Sequence, residues 1–385
     1  MKKKKKILIS IDWFLPGTKS GGPVRSYANI IEHFKSEFDF YIITRNTDYC
    51  ESVPYVNIKS DVWSRFNEST QIYYISKGNL NIKKLKEIYA SKPFDIALIN
   101  GIYSLYFSIL PMFLLKSYPI KKIVSARGML NSQAFSVKRK KKKIFLFLAK
   151  VIGLYKKVYF HATNKMEATK IKNELGANTK VIIAPNLHRL SSDRKLKDSV
   201  KKGGVLNLIS IARISKEKGT LTALEAILAY TKNKEVKINF HLYGTLYDIH
   251  YWEQCKSIIK LLPQHVKVVY KGNLASEKVP CTLENYHFLL MPSEGENFGH
   301  SILEALSAGT PVIISDNTPW RNLQEKKIGW DVSLKSPENL QYALDLAINM
   351  GQNEYNSWSK NAFNFAIKFC DNKELLKANR KLFNK

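Results

Sequence analysis

Residues 287–316, HFLLMPSEGENFGHSILEALSAGTPVIISD, run from one apolar segment to another through a turn and a short helical stretch. HFLLMPS reads as a buried strand, and PVIISD as a second one. Between them Gly295 and Gly299 flank a turn, and SILEALSA with Gly309 behind it reads as a helix ending at a glycine cap. Strand, helix and strand in this order predict a parallel pair with a crossover helix. A helix beginning near Gly299 to Ser301 presents unpaired backbone N–H groups, which suit a phosphate.

The same alternation fills the chain in both directions. Upstream, KILISI (6–11), FDFYIIT (38–44), QIYYIS (71–76), IALIN (96–100), KKIVSA (121–126), KVYFHAT (157–163) and KVIIAP (180–185) read as strands. Amphipathic stretches at 24–35, 104–117 and 165–175 lie between several of them. After a polar, basic segment at 188–204 the pattern restarts with strands at 205–213, 236–244, 266–272, 287–293 and 311–316, and from about Pro337 only helices follow. The expected class is therefore α/β, with two Rossmann-like domains at 1–187 and 205–355, a linker at 188–204, and C-terminal helices at 356–385 packing back toward the first domain. Two such sheets place a ligand cleft between the carboxyl ends of their strands.

Composition narrows the partners. Four cysteines far apart, with no CxxC and no histidine cluster at metal spacing, indicate neither a disulfide scaffold nor a zinc site, and fit a reducing cytoplasm. The basic start, MKKKKKILISIDW, has too short an apolar run for export, and IFLFLAKVIGLY (144–155) is too short to span a bilayer. The 61 Lys and Arg against 32 Asp and Glu give a net charge of +29, which attracts polyanions, although much of the lysine is spread evenly. KRKKKK at 138–143 is not spread: it runs straight into the apolar stretch, so 138–157 reads either as an interfacial anchor on an anionic membrane or as a helix buried by its apolar face.

Glu296 lies just before the helix start of the opening stretch and Glu304 about one turn inside it. Carboxylates accept hydrogen bonds from hydroxyls, and two at this spacing grip a polyhydroxylated ligand at two depths. PSEGENFGHSILEALSAGTPVIISDNTPW resembles the donor-binding signature of the retaining glycosyltransferases of the GT-B fold, family 4 (glycosyl transferases group 1 type). The family's glutamate pair falls on Glu296 and Glu304, with Phe298 and Gly299 in place; Asn297 between the glutamates reads as a further donor contact, and His300 beside them either as a donor contact or as a cap of the turn. The resemblance implies Glu304 on the ribose hydroxyls and Glu296 against the transferred sugar. IARISKEKGTLTALEA (211–226) resembles the family's next signature, which implies Arg213 and Lys218 on the donor diphosphate. Two fixed cations there stabilise the charge of a departing nucleoside diphosphate.

The first domain resembles the family more loosely. WFLPGTKSGGPVRSY places Gly21 and Gly22 where the family brings bare backbone to the donor phosphate. Family members often carry histidines where this chain has Arg127 and Asn100, so the acceptor side departs from the pattern; Arg127 reads as a contact to an anionic part of a substrate or as a structural salt bridge. His161 and His287 read as packed polar residues, and Trp320 as packing.

The reaction implied is transfer of a sugar from a nucleotide donor, a UDP- or GDP-sugar, with retention, to a glycan or lipid-linked glycan of a capsule, O-antigen or exopolysaccharide. Catalysis would rest on Glu296, Arg213 and Lys218, with no cofactor and no metal, since no Asp-x-Asp is present. The expected place is the cytoplasm, peripheral on the inner face of the membrane. A same-fold sugar-nucleotide epimerase, and a basic nucleic-acid-binding protein, are the competing classes; the latter lacks the expected interleaving of basic and aromatic residues.

Overall fold

The structure, a computed structural model, describes residues 3–130, 139–190, 195–196, 199–231 and 236–384. The chain folds as two units: Met1–Leu190 with Lys373–Lys385, and Ser191–Asn372.

The first unit carries an eight-stranded sheet. Its strands are β1 (Lys5–Ser10), β2 (Phe38–Arg45), β3 (Trp63–Asn67), β4 (Thr70–Ile75), β5 (Ile96–Asn100), β6 (Lys121–Ser125), β7 (Tyr159–Ala162) and β8 (Lys180–Ile183). They lie in the order β3-β4-β2-β1-β5-β6-β7-β8, and every pair is parallel except β3 with β4. Buried runs such as IALIN, covered on both faces, are what a central parallel strand requires. The order reverses between β1 and β5, the switch point where α/β sheets take ligands.

Helix Gly22–Phe34 follows β1 and buries Val24, Tyr27, Ile30, Ile31 and Phe34, a stripe at helical spacing. The stretch 104–117 is not one helix. A π-helical turn, Leu105–Ile109, precedes a short α-helix, Leu110–Leu114. Pro111 has no N–H for the carbonyl of Phe107, and that carbonyl accepts from Ser10 Oγ instead, at 2.9 Å. The last helix, Lys373–Phe383, belongs to this unit: Phe383 packs among Phe34, Phe38 and Phe40, and Arg380 donates two hydrogen bonds to Glu37 at 2.8 and 2.7 Å.

The second unit carries six strands, all parallel: β9 (Val205–Ile211), β10 (Lys237–Tyr243), β11 (Val266–Tyr270), β12 (Phe288–Met291), β13 (Val312–Ser315) and β14 (Gly329–Val332). Their order, β11-β10-β9-β12-β13-β14, is that of the doubly wound dinucleotide fold, with its switch point between β9 and β12. Leu208, Phe240, Phe288, Leu290 and Ile313 are fully buried in its core. From Ser199 the basic stretch expected to link domains is packed into this unit. Lys201 is buried, and its ammonium donates to the carbonyls of Lys202, Ile348 and Met350 at 3.0 to 3.2 Å. Burial pulls its pKa down to about 8. No helix among the described residues is long and apolar enough to cross a membrane.

Candidate active site

Two loops meet at the switch point of the second sheet. The first leaves β9. Ala212 donates to the Tyr243 carbonyl at 3.0 Å and Ile214 to Thr245 at 2.9 Å, so Arg213 is held beside the end of β10. A 3₁₀ turn, Lys216–Lys218, then closes on Gly219 at φ 71°. A Cβ at Gly219 would lie 2.0 Å from the carbonyl oxygen of Pro292, so only glycine lets this loop reach the loop after β12.

That second loop begins at Pro292. Glu294 N–H donates to the Glu217 carbonyl at 3.0 Å, and Glu296 N–H to Asn317 at 3.1 Å, which ties the turn to its neighbours on either side. Fully buried Ser293 accepts at its carbonyl from Ser315 Oγ. Trp320 Nε1 donates to the Phe298 carbonyl, and the Phe298 ring packs against Trp320 and His300. Gly299 sits at φ 76° as N-cap of helix His300–Ser307, which has no side-chain cap. The helix buries Ser301, Ile302, Leu303, Ala305 and Leu306, which leaves Glu304 half-buried on the remaining face, one turn below His300.

The loops bring Lys218 to Glu296. Its ammonium donates to Glu296 Oε1 at 2.6 Å, and Ser293 Oγ donates to the same oxygen at 3.2 Å. The two side chains are 20% and 11% exposed, so the pair is shielded but reachable. Arg213 is not turned to the same point: its Nη2 lies 3.1 Å from Glu217 and its guanidinium stacks 5.2 Å from the Tyr247 ring centroid. Sequence reading joined the two cations and missed Glu217, Tyr247 and Ser293. Only Glu217 had a signal, standing four residues beyond Arg213.

The first-unit residues stand as follows. Gly21, at φ 79°, is N-cap of helix Gly22–Phe34, with Pro23 in its first turn and open space where a Cβ would stand. Asn100 is buried at the end of β5. Arg127, just beyond β6 at φ 50°, donates to Asn186 Oδ1 at 2.7 Å. His161 Nδ1 accepts from Ser125 Oγ, and Nε2–H donates to the Ala184 carbonyl, both at 2.8 Å. Burial, and then the charge of Arg127, push its pKa down to about 4. His287 is held the same way between Asn207 N–H and the Val200 carbonyl, with burial lowering it to about 4. Both rings are neutral spacers at neutral pH. Among the described residues no group of three or more His, Cys, Asp or Glu is arranged to hold a metal ion.

Comparison with known proteins follows the same division. Residues 191–365 match the family model described as glycosyl transferases group 1. The alpha-monoglucosyldiacylglycerol synthase of Streptococcus pneumoniae is 28% identical over 164 residues, which are 43% of this chain and 33% of that protein. The chain thus spans about a third of the length of this curated relative. Sucrose-phosphate synthase from Thermosynechococcus elongatus superposes with a TM-score of 0.71 at 14% identity, over 99% of this chain and 98% of that one. HepE of Anabaena, solved with UDP and glucose, gives 0.66 at 14% identity over 98% of both chains. The chain therefore has the GT-B fold, and its second unit, the one that holds the Lys218–Glu296 pair, is the part that matches the glycosyl transferases group 1 family.

Proposed function

We propose that this chain is a retaining glycosyltransferase that moves a sugar from a UDP- or GDP-sugar to a glycan acceptor carried on a lipid, in the assembly of a surface polysaccharide. The observation that carries the reading is the half-buried Lys218–Glu296 pair beside an uncapped helix start at a sheet switch point, within the segment that matches the family. UDP in the HepE structure and the glycolipid made by the pneumococcal relative support the donor and acceptor classes.

In this mechanism the diphosphate binds at the start of helix His300–Ser307 and Glu304 accepts from the ribose hydroxyls. Glu296 exchanges Lys218 for hydroxyls of the transferred sugar and orients it, while the Lys218 ammonium turns to the diphosphate. As the anomeric bond breaks, Lys218 and Arg213 stabilise the growing charge, and a diphosphate oxygen takes the acceptor's proton on the same face. The acceptor oxygen then bonds to the anomeric carbon from the side the diphosphate leaves. Thermal-shift titration with UDP-, GDP-, ADP- and dTDP-sugars tests the first step. One nucleotide class is expected to raise Tm, and Glu304→Ala to weaken that nucleotide about tenfold or more. A chain that none of them stabilises speaks against the reading.

Contact with an anionic bilayer belongs to the same proposal. Helix Arg139–Val151 packs Leu146 and Ala149 inward and shows Ile144, Phe147, Leu148 and Val151 to solvent, each 52% to 67% exposed and spaced i, i+3, i+4, i+7. Lys140, Lys141, Lys143 and Lys150 are exposed on the same helix. An apolar stripe ringed by lysine suits the headgroup boundary of an anionic leaflet. The double variant Phe147→Ser, Leu148→Ser is expected to lose about tenfold or more of its binding to phosphatidylglycerol vesicles, with little change in Tm. Equal sedimentation of both chains would remove this contact.

A further inference from the structure

Buried polar atoms are nearly always hydrogen-bonded, so a group of them left open in one place points to something that binds there. In the first unit such atoms gather at the carboxyl ends of β5 and β6. Arg127 Nε and Nη2, Tyr27 OH and Asn100 Oδ1 are buried with no partner among the described residues. Asn100 is the register partner of Ser125, two residues before Arg127, and the Arg127 guanidinium lies 4.6 Å from the Tyr27 ring centroid.

No carboxylate among the described residues forms an ion pair with the Arg127 guanidinium. Glu167, the buried carboxylate of this corner, accepts from Gly128 N–H at 2.8 Å and from Thr163 N–H and Oγ1 at 2.7 Å, and so is committed to the backbone turn after β6. His161 has both ring nitrogens engaged and is neutral. The backbone turn itself is costly: Arg127 is left-handed at φ 50°, followed by Gly128 at φ 73°. A chain that needed only packing here has no use for a strained arginine with two buried N–H groups open.

We infer that this corner binds an oxyanion, the phosphate or carboxylate of a substrate, with Arg127 Nε and Nη2 as a two-pronged donor and Tyr27 as the wall behind it. The inference rests on the proposed function only in assigning that anion to the acceptor, which would then be a phosphate-bearing or acidic glycan.

The test is calorimetric titration of the full chain at low salt with inorganic phosphate, glucuronate and UDP. Wild type and Lys218→Ala are expected to bind phosphate or glucuronate alike, and Arg127→Gln to bind it about tenfold more weakly with UDP affinity unchanged. Arg127→Lys, which keeps the charge and loses the fork, is expected in between. Ligand-free Arg127→Gln is expected to have an unchanged or higher Tm, because it loses a buried cation whose one hydrogen-bond partner among the described residues is the neutral amide of Asn186. Anion affinity unmoved by Arg127→Gln overturns the site, as does a wild type that binds neither anion. A fall of several degrees in Tm with unaltered binding marks the arginine as a structural pin. Loss of UDP affinity in Arg127→Gln moves the anion to the donor and overturns the acceptor assignment. Failure of wild type to bind any nucleotide, with phosphate binding intact, speaks against the glycosyltransferase reading and leaves the anion site standing.

Discussion

Glu296→Ala is expected to lower kcat/KM by about 100- to 1000-fold, and Lys218→Ala by a similar factor. Each removes one member of the pair that, on the proposed mechanism, separates to hold the sugar and the diphosphate. The two variants differ from an ordinary stability defect in a way that can be measured. Either single change strands a half-buried charge, because the partners are only 20% and 11% exposed and 2.6 Å apart, so each should cost about 1–3 kcal/mol. The double variant Lys218→Ala, Glu296→Ala removes both charges. It is expected to regain much of that stability in urea unfolding while its activity stays at the single-variant floor. Activity that returned along with stability would show the pair to be structural and would sink the assignment.

Gly219→Ala is expected to be the most damaging small substitution in the second unit. The added methyl would stand 2.0 Å from the Pro292 carbonyl oxygen, and the residue is held at φ 71°. Loop and strand end must separate, which costs about 2–4 kcal/mol and carries Lys218, the adjacent residue, away from Glu296. Both urea stability and kcat/KM should fall. Gly204→Ala is the control: it has a comparable φ of 75° but open space around its Cβ, so only the backbone penalty of about 1 kcal/mol applies. Equal losses in the two variants would mean that the contact with Pro292 is not what fixes the loop.

The strands that build both sheets were legible because a buried parallel strand is written as an unbroken apolar run, as in IALIN or FLLM. The two that were not are β3 and β14. WSRFN is an edge strand without a buried face, and GWDV opens with a glycine whose Cβ would lie 2.1 Å from the Val312 carbonyl, a feature that reads as a turn. The break at Pro111 was hidden for a related reason: the hydroxyl that takes the freed carbonyl is Ser10, nearly a hundred residues away in sequence. At the candidate site, residue types and their spacing pointed to Glu296 and Glu304, and the family resemblance to Arg213 and Lys218, but neither told who faces whom. The Gly219–Pro292 approach and the division of the cations between Glu217 and Glu296 depend on the order of strands, which no local pattern states.

The salt link between Lys218 and Glu296 also acts as a lock with two wards. Each ion already has its complement, so a ligand gains only the difference between its own contact and the one it displaces. Free phosphate can replace Glu296 on the ammonium but leaves the carboxylate with the Ser293 hydroxyl and no cation. A free sugar can satisfy the carboxylate but leaves the ammonium without its anion. A molecule that carries an anion and hydroxyls at fixed separation replaces both halves together. A nucleotide sugar meets that condition, and the abundant free phosphates and sugars that would otherwise compete with it do not.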